Sequence, residues 1–176
     1  TPAGFFSRAN EILVWISPLN LSVTDSAWER VFASRSSASI DLALDDAKVR
    51  EIARTLRDRY ARLSLAISKG LVRGAKDISE GGCLMSIFEM CLGRDLGVHF
   101  EAWSEDATAW FGEGLGGFVM SIDPHLMREL HEMMPEIRRL GTTLNVPVLR
   151  WGIGRELNVH GLKATYQRAG RKGFWR

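Results

Sequence analysis

The stretch "GGFVMSID", Gly116 to Asp123, narrows the fold more than any other. Five residues, Phe118 to Ile122, carry no charge and lie between a glycine pair and Asp123-Pro124. A continuous apolar run this short is an interior strand, which needs neighbours to satisfy its backbone and apolar cover for its side chains. "EILVWI", Glu11 to Ile16, is a second strand of the same kind, bounded by Asn10 and "SPLN". "LGVHFEAW", Leu96 to Trp103, has strand character as well, and "NVPVLRWGIGREL" adds one or two more. "LVRGAKDI", Leu71 to Ile78, reads as a short connection or strand.

Helical patterns separate these runs. From Asp45 onward Val49, Ile52, Leu56, Tyr60, Leu63 and Ile67 recur every three or four residues, the stripe of a long amphipathic helix that Gly70 ends. Gly81-Gly82 opens another helix, with Leu84, Ile87, Phe88 and Cys91 on one side and Gly93 at its close. Pro124 starts a third, buried through Leu126, Leu130 and Met134 until Pro135. Thr24, Asp25 and Ser26 offer caps for a short helix carrying Trp28 and Phe32, and Ser34 to Ser39 is a loop. Alternating strands and helices make the fold class α/β (α+β), a mixed β-sheet covered by helices on one face. Residues 1–160 form a single domain, and 161–176, with Lys163, Arg168, Arg171, Lys172 and Arg176, a solvated basic tail.

A net charge of +2 over 176 residues gives no reason to expect a nucleic-acid or anionic-membrane partner. No run approaches the roughly 20 apolar residues of a membrane span. Cys83 and Cys91, two turns apart on one helix, are too far apart to bridge and read as buried free thiols, which suits a reducing cytoplasm. The start lacks both an initiator Met and a secretory signal, so the chain is expected to be a piece of something longer.

Chemistry concentrates at two places. In "DISEGG", Asp77 to Gly82, an extended segment turns into a helix N-terminus, where free amides, the helix dipole and glycines together can hold a phosphate. The alternative is that Ser79 or Asp77 caps the helix and Gly81-Gly82 permit close packing. In "WFGEGLGGFVMSID", four glycines surround one carboxylate, Glu113, either lining a cleft or forming a flexible hairpin connection with a surface acid. His99, His125, His131 and His160 are scattered, so no metal site is expected, and no serine-nucleophile elbow occurs.

Taken together and in this order, "GLVRGAKDISEGGCLMSIFEMC" and "FGEGLGGFVMSIDP" resemble the C-terminal domain of the aminoimidazole ribonucleotide synthase-related superfamily. Within it they look most like the phosphoribosylformylglycinamidine synthase branch. Gly70, Leu71, Val72, Ala75, Asp77, Ile78, Ser79, Glu80, Gly81 and Gly82 match that branch's first motif. Phe111-Gly112-Glu113, Gly116 and Val119 to Ile122 match its second. The Ser-acid-Gly-Gly turn differs from the forms in thiamine-phosphate kinases and hydrogenase-maturation members. Lys76 stands where the family has His, and Gly117 where it has Arg.

The resemblance implies a role in purine biosynthesis: ATP-dependent conversion of formylglycinamide ribonucleotide to the amidine. The amide oxygen is phosphorylated, and ammonia from glutamine displaces phosphate. It implies ATP and Mg2+ as cofactors, bound mainly by an N-terminal domain that lies outside this sequence, so the chain alone is expected to be inactive. It places Asp77, Ser79, Gly81 and Gly82 at a substrate or nucleotide phosphate, with Glu113 and Lys76 at the cleft rim. Implied partners are that N-terminal domain, a phosphoribosyl metabolite, a glutaminase subunit or domain, and further copies in a homo-oligomer, all in the cytoplasm. The alternative is a non-catalytic relative that serves as a binding or oligomerisation module.

Overall fold

The computed structural model describes residues 4–24, 26–32, 46–101 and 106–171, with side chains for all of these but Phe32 and residues 169–171. Expectations that fall on Asp25, on the Ser34 to Ser39 loop, on Ala102 and Trp103, or beyond 171 lie outside the described residues. A seven-stranded mixed sheet is built from β1 (Ile12–Ile16), β3 (Gly74–Asp77), β4 (Gly97–Phe100), β6 (Phe118–Ile122), β7 (Arg138–Leu144), β8 (Val148–Trp151) and β9 (Arg155–Asn158). Its order is β3-β6-β1-β7-β4-β8-β9. Neighbours are antiparallel except β4 and β8, which run parallel. A separate two-stranded ribbon pairs β2 (Leu19–Ser22) with β5 (Glu113–Leu115).

Alternation along the strands sends side chains to two cores. Leu13, Val119, Val98, Phe100 and Leu149 meet α3 (Gly82–Cys91), α4 (Ala107–Phe111) and α6 (Val159–Arg171) on one face. Ile12, Val14, Ile16, Phe118, Met120 and Ile122 meet α2 (Asp46–Ser68) and α5 (Met127–Met133) on the other. Helices therefore cover both faces, where the sequence pattern suggested one. The uncharged run Phe118 to Ile122 is the physical reason, since every residue of β6 is buried and both of its sides need apolar cover.

Three further elements depart from the sequence reading. In α2 the expected inward residues Leu63 and Ile67 do pack on the core, but Val49 is exposed, Tyr60 only lays its ring edge against Phe118 of β6 while half exposed, and Arg59 and Ala66 are buried beside Leu63. β7, a central strand, is invisible to hydropathy: Arg138 and Arg139 are exposed at its start, and Gly141 packs where a Cβ would lie 2.0 Å from the His99 carbonyl oxygen. Residues 161–171 are helical, where a solvated tail was expected. Val159, Leu162 and Tyr166 seat α6 on the core, with the Tyr166 ring edge-on to Phe88. The remaining short helix, α1 (Ala27–Phe32), starts as expected at Ser26, whose hydroxyl accepts from the Glu29 amide.

Candidate functional site

The junction between β3 and α3 sits at the sheet edge, held from both sides. Pairing of β3 with β6 sets Asp77 opposite Phe118, and the Ile78 amide donates to the Gly117 carbonyl. The chain then turns, with the Gly82 amide donating back to the Ser79 carbonyl at 3.0 Å. Gly81 is the N-cap of α3 in a left-handed conformation, φ 83°, and as a glycine it offers no side-chain cap of its own. Neither Ser79 nor Asp77 therefore plays the capping role considered from sequence. Both are exposed, and it is the Asp77 carbonyl, not its carboxylate, that accepts from the Ser86 hydroxyl.

Glu113 fills the capping position instead. Its Oε1 accepts from the Gly81 amide at 2.9 Å and from the Ala27 amide at 2.8 Å, so one carboxylate joins the N-termini of α3 and α1. An acid at a helix N-terminus is favoured both by the hydrogen bond and by the dipole. This places the single acid of the glycine-rich loop directly against the turn, joining the two stretches that stood out in the sequence.

Gly82 is sealed. A Cβ there would lie 2.6 Å from the Trp110 carbonyl oxygen and 2.7 Å from Phe111 backbone carbons, so α3 and α4 touch backbone to backbone. Close packing thus accounts for Gly82, and an anion approaching the junction meets the Gly81 amide already engaged by Glu113, with the exposed Ser79 hydroxyl beside it. In the glycine-rich loop, whose Glu113–Leu115 pairs with β2, a Cβ at Gly117 would lie 2.5 Å from Pro18 Cγ, so a larger residue there would have to displace Pro18.

Lys76 is held by an ion pair within the chain. Its Nζ pairs with Glu89 Oε2 at 3.0 Å, and Glu89 Oε1 accepts from the Tyr166 hydroxyl at 3.1 Å. Burial, and then Glu89, raise the pKa of that phenol. The sequence signal for Tyr166 was the spacing of Val159, Leu162 and Tyr166, obscured by the surrounding lysine and arginines.

Arg59 also escaped the sequence reading, because the apolar stripe pointed Tyr60 inward. Its Nη1 donates to the carbonyls of Gly116 at 2.6 Å and Ser17 at 3.1 Å, tying the glycine-rich loop to the residue that follows β1. Burial lowers its pKa, an effect that Glu136 opposes. Among the described residues no group of three or more His, Cys, Asp or Glu could hold a metal ion, and no helix is long and apolar enough to cross a membrane.

The sequence model of the family described as "AIR synthase related protein, C-terminal domain" matches residues 21–147. The chain is 37% identical over 60 residues to phosphoribosylformylglycinamidine synthase subunit PurL of Prochlorococcus marinus, a match covering 32% of this chain and 8% of that protein. It is 26% identical over 113 residues to the same subunit from Nitrobacter hamburgensis, covering 61% of this chain and 14% of that protein. Among solved structures, Thermotoga maritima PurL complexed with FGAR superposes with a TM-score of 0.65 at 15% identity, over 92% of this chain and 29% of that one. This last likeness shows a shared fold, and all three relatives extend far beyond the segment matched here.

Proposed function

The chain belongs to the AIR synthase-related C-terminal domain family, and from that membership we propose that it serves as the C-terminal domain of an ATP-dependent phosphoribosylformylglycinamidine synthase in purine biosynthesis. The observation that carries the reading is the meeting of the two family stretches at one place, Glu113 Oε1 on the Gly81 amide, at the N-terminus of α3. The FGAR complex of the Thermotoga neighbour supports formylglycinamide ribonucleotide as the substrate.

In this reading the phosphorylated amide oxygen and the phosphoryl donor approach the edge of the sheet where β3 turns into α3. Phosphoryl transfer depends mainly on positioning and electrostatic stabilisation. Ser79 presents an exposed hydroxyl on that approach. Gly81 and Gly82 fix the course of the backbone, Asp77 flanks it, and Glu113 and Lys76 set the rim. In this reading the Mg2+ and most of the ATP contacts belong to the rest of the parent enzyme. ATP brings the phosphoryl group that activates the amide oxygen. Further partners in this reading are a glutaminase subunit or domain that supplies ammonia and other copies of the enzyme in a homo-oligomer, in the cytoplasm.

The test is turnover by the full-length parent protein given ATP, Mg2+, formylglycinamide ribonucleotide and ammonia. Amidine formation coupled to phosphate release is expected. ATP-independent behaviour, or no amidine under any ammonia supply, overturns the enzyme reading in favour of a binding or oligomerisation module.

A further inference from the structure

Between α1, α3 and α6 runs an apolar groove of about 400 Å³, floored by Leu84, Met85 and Phe88 and walled on one side by Trp28 and Val31 of α1. That wall is thinly anchored. Helix α1 has six residues, none of Ala27 to Val31 is buried, and Val31 is 71% exposed. A helix so short has little stability of its own and keeps its place by what it touches.

Three of its contacts converge on the junction already described. Glu113 Oε1 accepts from the Ala27 amide at its start, the Trp28 ring stacks on Phe111 with centroids 4.3 Å apart, and Arg30 Nη2 meets Glu80 Oε1 at 2.5 Å. The same Glu113 oxygen also holds the Gly81 amide. We propose that α1 is a latched wall: Glu113 is the latch, and local opening of α1 uncovers the apolar floor of the groove while the sheet stays folded.

The physical basis is the contrast in burial. β6 is buried throughout and its amides are expected to exchange only on global unfolding, whereas a short element whose residues from Ala27 to Val31 all reach solvent opens locally at lower cost. The Ala27 bond is charge-assisted, the strongest of the three contacts, and the exposed Arg30–Glu80 pair contributes least. Because one carboxylate oxygen serves both helices, loosening the latch also frees the N-cap amide of α3, so the groove and the junction respond together. The latch belongs to the chain itself and operates whatever substrate the parent enzyme takes.

Amide hydrogen exchange of the full chain, resolved to segments, tests this. Glu113→Gln keeps the shape of the side chain and removes its charge. Exchange of amides 27–32 and of Gly81 is expected to rise by about tenfold, the size of one charge-assisted hydrogen bond, while β6 amides keep their rates. Binding of the fluorescent apolar dye ANS is expected to rise in parallel. Glu80→Gln, at an exposed pair that folding does not need, gives a smaller rise confined to amides 27–32, which keeps the test intact if Glu113→Gln does not fold. Unchanged exchange in 27–32 in both variants, or α1 amides that exchange only together with β6, overturns the proposal.

Discussion

Replacing Gly82 by Ala isolates what the glycine pair is for. Gly82 adopts φ +72°, and an added Cβ meets Trp110 and Phe111 backbone atoms at 2.6–2.7 Å. The left-handed conformation costs an L-residue about 1–2 kcal/mol. Backbone atoms cannot rotate away as a side chain can, so overpacking adds about 1–3 kcal/mol. Gly70 is the internal control: its φ is +74° and nothing lies within 4 Å of the added Cβ, so Gly70→Ala carries the conformational cost alone. Urea titration with thermal melts of the three proteins reads the difference. Gly82→Ala is expected to lose about 2–5 kcal/mol in all, or about 4–20 °C in Tm for a chain of this size. Gly70→Ala is expected to lose only the first component. If the two variants fall within about 0.5 kcal/mol of each other, the backbone-to-backbone contact of α3 with α4 is not what selects glycine at 82.

Restoring the family's arginine by Gly117→Arg is expected to cost about 1–3 kcal/mol by overpacking against Pro18, measured by urea titration; a neutral result refutes the packing explanation for Gly117. Burial holds the Cys91 thiol neutral by pushing its pKa up to about 12, and it raises Cys83 still further. An unfolded thiol ionises near 8.5, so this contribution is complete below about pH 8.5 and is lost as pH rises through the folded value, at up to about 1.4 kcal/mol per pH unit for each thiol. Stability followed from pH 8 to 11 is expected to fall, and Cys91→Ala to make the fall shallower; a flat profile contradicts the burial. Tyr166→Phe removes the hydroxyl bonded to Glu89 and is expected to cost about 0.5–1.5 kcal/mol. Because the folded phenol titrates above its ordinary value, the same variant should also lose less stability above pH 10 than the wild type, which a pH series of melts checks.

What was legible in the sequence follows from which forces leave a local trace. β1 and β6 could be read because an interior strand must be apolar without interruption, and α3 because glycines precede a buried helix. β7 could not, since a central strand with Arg138 and Arg139 at its solvent end and Gly141 beneath a neighbouring strand has no hydropathy signature. Periodicity gave the length of α2 and part of its inward side, Leu63 and Ile67, but not Arg59, which turns in because the carbonyls of Gly116 and Ser17 await it there, a long-range pairing invisible along the chain. At the site, Glu113 and the Asp77 to Gly82 turn were both singled out, yet their contact across 32 residues needed the fold. That contact changes the meaning of the turn, since the amide expected to face a phosphate carries a carboxylate of the same chain.

The central claim is that the turn into α3 lies at the phosphate end of an ATP-dependent ligase's cleft. Isothermal titration of the full-length parent protein with MgATP, then with formylglycinamide ribonucleotide, tests it most directly when repeated on Ser79→Ala, a change at an exposed hydroxyl. Binding of both ligands by the wild type is expected, with Ser79→Ala weakening one of them by about three- to tenfold, the worth of one hydrogen bond. Absent binding by the wild type, or affinities for both ligands unchanged by the substitution, would contradict it.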